Sequence, residues 1–213
     1  MILVGQWLDE AVDRNLQPNP TSMTLATTGR DARPSARVVL IKGVNRELGF
    51  AEFHTNYGSR KARELDANGW AAGTLHWDAL GRQLRLEGPV RRSPAAASDA
   101  YFATRPWRSQ INAWASRQSA ALADPADLEH AARQIARDFG LPDPCDASSA
   151  AAPANAIPRP DFWGGYRFWL TAIEFWLSGR DRFHERIRYE RDLRAEDSDR
   201  FTAGPWSRAR LQP

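Results

Sequence analysis

The sequence predicts a mainly β fold of the α+β class, an antiparallel barrel, closed or nearly so, with helices inserted between its strands. Short runs that alternate with a two-residue period or are rich in β-branched residues recur along the chain, separated by polar turns. Helices with their own start signals stand among these runs, an arrangement unlike a βαβ layout. A Gly-rich dinucleotide fingerprint is absent, so a nucleotide cofactor would bind by another mode. At 213 residues, 42% of them hydrophobic, the chain can bury one good core and reads as one large domain.

Residues 1–20 read as an N-terminal helix and turn, and 21–213 as a single domain. Leu3, Trp7 and Val12 have helical spacing, and Pro18 and Pro20 end the segment. Ser22–Thr27 and Ser35–Lys42 read as a hairpin about the turn at Gly29–Arg33. Further strands are expected at Gly49–Thr55, Trp70–Trp77 and Gln83–Arg91, the last with Leu84 and Leu86 inward and Arg85 and Glu87 outward. Helices are expected at Arg60–Asn68 after a Ser59 cap, Pro94–Thr104 after Ser93, and Pro125–Phe139 after Asp124. Residues 140–160, proline-rich with an Ala/Ser-rich centre, read as a long flexible loop. Strands at Trp163–Leu170, Ala172–Leu177 and Arg182–Arg188 follow, then a polar stretch over Arg191–Gly204 and a last strand at Trp206–Leu211. No internal repeat is visible.

Composition narrows the function classes. The longest apolar stretch, Phe168–Leu177, is broken by Thr171 and Glu174 and falls short of the roughly 20 residues that span a bilayer. The first residues carry neither a basic segment nor a full apolar run, so no secretory signal is read and cytoplasmic residence is expected, with no membrane partner. Cys145 is the single cysteine, which excludes an intrachain disulfide and a multi-cysteine zinc site; no metal is expected. The net charge of +3 reflects an arginine excess gathered in clusters with aromatics, a pattern that suits an anionic ligand or a solvated basic surface.

Four clusters carry candidate chemistry. Asn56-Tyr57-Gly58-Ser59-Arg60-Lys61 leads into a helix whose first turn holds two cations, where the macrodipole disfavours them. A monophosphate would compensate, held by backbone N–H groups, Ser59, Arg60 and Lys61; two surface side chains are the alternative. Arg37-Val38-Val39-Leu40-Ile41-Lys42 puts cations at both ends of a strand on opposite faces, a pattern also common at solvated strand termini. In Arg182–Arg188, alternation puts Arg182, His184, Arg186 and Arg188 on one face, which favours a bound anion over an edge strand in water. Between arginines, His184 suits hydrogen bonding as a neutral imidazole. Tyr101 and Arg105 share a helix face with Ser109 just beyond its end, and their three side chains would hold a second phosphate, or form an ordinary basic helix terminus.

In order and spacing these blocks, together with Thr55, Arg82-Gln83, Trp114-Ala115-Ser116-Arg117-Gln118-Ser119, Phe162-Trp163-Gly164-Gly165 and Ile173-Glu174-Phe175-Trp176, resemble the pyridoxamine 5′-phosphate oxidase family from near Ser22 to the C-terminus. The resemblance implies an FMN-binding split barrel, a homodimer with active sites at its interface, oxidising pyridoxamine or pyridoxine 5′-phosphate to pyridoxal 5′-phosphate with molecular oxygen as acceptor and hydrogen peroxide as product. It implies that Arg60 and Lys61 hold the FMN phosphate and that Arg37, Val38, Val39, Leu40, Ile41, Lys42, His54, Thr55 and Gln83 line the flavin site. Gln118 and Ser119 would come from the partner subunit, with Trp176 and Arg186 completing the cofactor contacts. Lys42, Tyr101, Arg105 and Ser109 would hold the substrate phosphate, leaving Arg182 and His184 over the pyridine ring as the catalytic pair.

His54 stands where the family commonly has tyrosine, the N-terminal region lacks a basic/tyrosine covering segment, and residues 140–160 and 191–204 look enlarged. A phenazine-biosynthesis flavin oxidase shares much of the pattern, so a phenazine precursor is the alternative substrate. Nucleic-acid binding through arginines and nine tryptophans ranks last, because the cations suit two small phosphates rather than a continuous track.

Overall fold

The structure, a computed structural model, describes residues 1–148, 157–197 and 200–213. They fall into two compact units, one of Met1–His54, Glu64–Arg92 and Tyr166–Pro213, the other of Thr55–Arg63 and Ser93–Gly165. No described helix is long and apolar enough to cross a membrane.

The first unit opens with α1 (Ile2–Arg14), stopped by a left-handed Asn15 whose N–H returns to Ala11 O at 3.2 Å. Its buried stripe is Val4, Trp7, Leu8 and Ala11, while Leu3 and Val12, grouped with Trp7 by helical spacing, are exposed. The i, i+3, i+4, i+7 spacing keeps the first set on one face, and Leu3 and Val12 fall off it. Trp7 stands edge-on to Phe175 at 4.9 Å and Trp77 at 6.4 Å.

Strands β1 (Ser22–Thr28), β2 (Pro34–Leu40), β3 (Gly43–Asn45), β4 (Phe50–Asn56), β5 (Trp70–Trp77), β6 (Arg82–Arg92), β7 (Trp163–Trp169), β8 (Ala172–Leu177), β9 (Glu185–Glu190), β10 (Leu193–Ala195), β11 (Phe201–Ala203) and β12 (Ser207–Leu211) follow along the chain. Ten form one sheet in the order β12-β9-β8-β6-β5-β1-β2, continued through β7, β4 and β3, and β10 pairs with β11 apart from it. The mainly β antiparallel split-barrel class holds. Strand β6 is the hinge of the curl: Arg82–Glu87 pair with β8, Val90–Arg92 pair with β7, and Gly88 stands between. At φ 157° and with Trp169 O 1.9 Å from where a Cβ would lie, that corner admits only glycine. Leu84 and Leu86 point inward as expected, with Met23, Leu25, Phe53, Leu75 and Phe168 buried in the same unit, each such side chain contributing about 1.5–3 kcal/mol of transfer free energy.

Three expectations are corrected here. The second strand ends at Leu40, because Ile41 N–H turns to Thr21 O (3.0 Å) and Lys42 N–H to Glu52 O (2.8 Å), which puts Lys42 at a change of partner. Strand β9 begins only at Glu185, because Asp181 (φ 53°) and Arg182 (φ 67°) are left-handed in a tight turn over Arg180–Arg182. The polar stretch 191–204 contains the β10–β11 hairpin, whose Phe201 packs on Trp169 at 5.4 Å; residues 198–199 lie outside the described residues.

The second unit contains α3 (Ala95–Ala103), α4 (Trp107–Ala115) and α5 (Pro125–Asp138), and the first turn of α2 (Arg60–Asn68). Helix α4 was not expected; Pro106, just beyond the expected end of α3, is its N-cap. The residue capping α3 is Pro94 and not Ser93, whose buried hydroxyl has no hydrogen-bond partner among the described residues, whereas Asp124 caps α5 by accepting the Ala126 N–H at 2.9 Å. Phe102, Ile111, Ala113, Ala136, Ile157 and Trp163 form the core. The described ends of the expected loop at 140–160 are tied down: Arg108 donates to Pro144 O at 3.1 Å, Arg133 pairs with Asp143 at 3.1 Å, and Trp114 donates to Pro158 O at 2.8 Å. Residues 149–156, the Ala/Ser-rich centre, lie outside the described residues.

Candidate functional site

In the second unit, Asn56 organises the turn before α2. Its Oδ1 accepts the Gly58 N–H at 2.7 Å and its Nδ2 donates to Ser116 O at 3.1 Å, which draws the loop after α4 against the turn. Ser59 caps the helix, its Oγ accepting the Ala62 N–H at 3.4 Å. The buried Lys61 ammonium donates to Thr55 Oγ1 and Gln118 Oε1, both at 3.0 Å, and Thr55 Oγ1 donates to Gln118 Oε1 at 2.8 Å. Ser119, left-handed at φ 74°, accepts the Arg60 N–H at 3.1 Å. Gln118 and Ser119 therefore lie against Lys61 and Arg60 within the chain, drawn there by the Asn56–Ser116 clamp.

Tyr101, Arg105 and Ser109 do not share one helix. Tyr101 lies in α3, Arg105 follows its C-cap Thr104, and Ser109 is in the first turn of α4. Trp163 unites the first two: its ring stacks on Tyr101 at 6.2 Å and 6°, and the Arg105 guanidinium lies 4.6 Å from its centroid. Nη1 of Arg105 is buried and has no hydrogen-bond partner among the described residues. Burial pushes the Arg105 pKa below the ordinary guanidinium value, with Tyr101 opposing the shift.

In the first unit, register lines up Gln83, Trp176 and Arg186 on β6, β8 and β9. His184 lies against Trp176, ring centroids 4.5 Å apart. Its Nδ1 accepts the Gly179 N–H at 3.2 Å, so the neutral ring carries its proton on Nε2. Gly179 is required there, since a Cβ would lie 1.8 Å from Phe183 O.

The dense cationic face expected over Arg182–Arg188 is corrected on two counts. Arg182 and His184 stand outside the strand, and the protein supplies anions for the rest. Arg188 donates both terminal nitrogens to the Glu87 carboxylate at 3.0 Å and its Nε to Glu190 at 2.8 Å. Arg186 Nε donates to Glu174 Oε1 at 2.9 Å, and Arg85 donates to Glu174 Oε2 at 3.1 Å. Hydrogen bonds from Arg188 hold Glu87 below its ordinary pKa against the desolvation that would raise it.

Arg37 is likewise engaged, donating to Leu25 O at 3.1 Å, Thr27 Oγ1 at 2.5 Å, Ser35 Oγ and Glu64 Oε2 at 3.2 Å. Of its neighbours, Val38 is exposed, Val39 and Leu40 half-buried and Ile41 buried; Lys42 is exposed and His54, on β4, half-buried. Sequence reasoning missed the carboxylates of Glu64, Glu87 and Glu174, the clamp of Asn56, and Trp163 as a shared platform. Glu174 had a signal, being the lone acid in the apolar stretch Phe168–Leu177, where it counted only as an interruption.

A family model described as pyridoxamine 5′-phosphate oxidase matches residues 8–137, and one described as the pyridoxine 5′-phosphate oxidase C-terminal dimerisation region matches residues 163–213. A pyridoxine/pyridoxamine 5′-phosphate oxidase of Rubrobacter xylanophilus is 44% identical over 210 residues, covering 98% of this chain and 84% of the relative. One of Paraburkholderia phytofirmans is 45% identical over 207 residues, covering 97% and 85%. The crystal structure of PhzG from Burkholderia lata in complex with tetrahydrophenazine-1-carboxylic acid superposes with a TM-score of 0.81 at 30% identity, covering 100% of this chain and 91% of that one. A pyridoxamine 5′-phosphate oxidase-related, FMN-binding protein of Nostoc punctiforme shares the fold, with a TM-score of 0.69 at 15% identity, covering 99% and 96%. Matched by family models across both its N-terminal and C-terminal parts, and by relatives along nearly its whole length, the chain belongs to the pyridoxamine 5′-phosphate oxidase family.

Proposed function

We propose that this chain is an FMN-dependent oxidase converting pyridoxamine 5′-phosphate, pyridoxine 5′-phosphate or both to pyridoxal 5′-phosphate, with molecular oxygen as acceptor and hydrogen peroxide as product. The observation that carries the reading is Arg105, a guanidinium on the Trp163 ring that also stacks on Tyr101, with a buried nitrogen that has no hydrogen-bond partner among the described residues. A substrate phosphate would supply the missing acceptor and counter-charge. Tyr101, Arg105, Ser109 and Lys42 would bind that phosphate, and Arg182 and His184 would meet the pyridine ring.

The residues present fit FMN. Arg60, Lys61, Thr55, Gln118 and Ser119 gather two cations and neutral donors at a capped helix start, suited to a phosphate monoester. Gln83, Trp176 and Arg186, in one cross-strand row, together with Arg37–Lys42 and His54, would serve the rest of the cofactor. When bound, FMN supplies a two-electron acceptor that dioxygen reoxidises. The chain's own contribution is placement: two phosphate anchors fix two rings, and holding them in reacting orientation is worth several kcal/mol of barrier, roughly 7–11 at the upper end. His184 would face the substrate as a neutral imidazole with Nδ1 already occupied by Gly179. The match to a dimerisation region supports self-association, and the active sites would be completed at the interface of that homodimer.

Peroxide release with pyridoxamine phosphate, pyridoxine phosphate and their dephosphorylated forms tests the reading. Turnover of the phosphorylated compounds alone is expected, and Arg60→Ala should chiefly lose FMN whereas Arg182→Ala should chiefly lose turnover. Equal flavin loss in both variants would contradict that division. The likeness to PhzG supports a second reading, oxidation of a phenazine precursor; turnover of a tricyclic carboxylic acid, with none of the phosphorylated pyridines, would establish it instead.

A further inference from the structure

We propose that Glu174 is the positioning residue for Arg186, fixing the guanidinium so that a single edge faces the cofactor; this rests on the reading that Arg186 contacts FMN. Glu174 is 2% exposed and lies on β8 two residues before Trp176, on the same face of the strand. Arg186 stands directly opposite Trp176 and reaches diagonally along the sheet to Glu174, with Nε 2.9 Å from Oε1. Its Nη1 donates to Gln212 O at 3.0 Å. Two of its three nitrogens are thus held, and Nη2 has no partner among the described residues.

The neighbouring charges leave Glu174 available for this task. Arg188 is the residue directly across from Glu174, yet its side chain passes the small Ala172 to make a two-pronged bond with Glu87 and turns its Nε to Glu190. Glu174 therefore gives one oxygen to Arg186 and the other to Arg85, whose Nη1 lies 3.1 Å away. A planar guanidinium held at two nitrogens keeps its donor direction, whereas a lysine or an unsupported arginine would have to be ordered by the ligand itself. Pre-orientation in this way raises affinity without any contact between Glu174 and the ligand.

The test is FMN titration of the flavin-free protein, read by quenching of flavin fluorescence, for the wild type, Glu174→Gln, Arg186→Ala, the double variant and Arg85→Ala. Glu174→Gln and Arg186→Ala are each expected to weaken FMN binding by roughly tenfold, the size of one charge-assisted hydrogen bond. The double variant should bind no more weakly than Arg186→Ala, and Arg85→Ala should stay within about twofold of wild type by the same conversion. At saturating FMN, the visible circular dichroism of Glu174→Gln should shift toward that of Arg186→Ala, a signature that loss of stability alone does not produce. Should Glu174→Gln fail to fold, Glu174→Asp, which keeps the charge but withdraws it by one methylene, carries the same expectation. Wild-type affinity in the Glu174 variants beside weak binding by Arg186→Ala, or multiplicative losses in the double variant, would overturn the positioning role while leaving the cofactor reading intact. Wild-type protein that takes up no FMN would overturn both.

Discussion

The arginines on the β6–β8–β9 face and Arg105 in the helical unit look alike as sequence, each a cation among aromatics, and their circumstances differ. On the sheet, Arg85, Arg186 and Arg188 meet Glu87, Glu174 and Glu190, and nearly every charge has an opposite within hydrogen-bonding distance. At Arg105 the protein supplies two aromatic rings and no carboxylate among the described residues, and leaves one nitrogen buried and unbonded. Cations crowded together do not by themselves point to an anionic ligand. The informative quantity is whether the fold provides the counter-charge, because a guanidinium removed from water without one is stable only with a guest or at a cost.

The largest effect should come from Arg105→Ala. Truncating one side of a buried charge pair costs about 2–5 kcal/mol, so kcat/KM for the phosphorylated substrate should fall by roughly a hundredfold or more. The melting temperature of the ligand-free protein should hardly move, since relief of desolvation offsets the lost stacking on Trp163. A collapse in stability that tracks the loss of activity would erase the distinction from the sheet. Arg188→Ala should show the reverse pattern, losing about 1–2 kcal/mol of stability as Glu87 loses its two-pronged partner and keeps only Arg85 at 3.3 Å, a shift of a few degrees in a thermal melt. Unchanged stability would mean that the sheet network contributes nothing.

The smallest effect is a pH dependence confined to the sheet. Glu87 has a folded-state pKa below its ordinary value near 4.5. Its pairing therefore stabilises the fold fully above that value, and the contribution is lost as pH falls through the lower, folded-state pKa. The difference in melting temperature between wild type and Glu87→Gln should be level near neutrality and shrink in acid. A gap that widens on acidification contradicts the sign.

The strands with clean alternation were legible, as were the Ser59 and Asp124 caps, because their causes are local. Helix α4 was hidden by Pro106, which ends one helix and begins the next; a proline alone does not say which. Three-residue strands such as β3 and β10 are too short to display a period. The turn carrying Arg182 and His184 was misread as strand because its shape depends on Gly179 passing close to Phe183 O and on left-handed Asp181 and Arg182, none of which the residue pattern encodes. The carboxylate partners of the cations were not legible: Glu174 and Glu87 lie far along the chain from Arg85 and Arg188 respectively, and only strand register brings each pair together.

Trp163 belongs at once to the apolar core of the helical unit and to the wall beside Tyr101 and Arg105. If Arg105 holds the substrate phosphate as proposed, substrate preference is not a separable surface trait of this chain. A change at Phe102 or Ile111 that tilts the indole would retune what Arg105 accepts without touching any ligand, and a designer seeking a different substrate would have to treat folding and selectivity as a single variable.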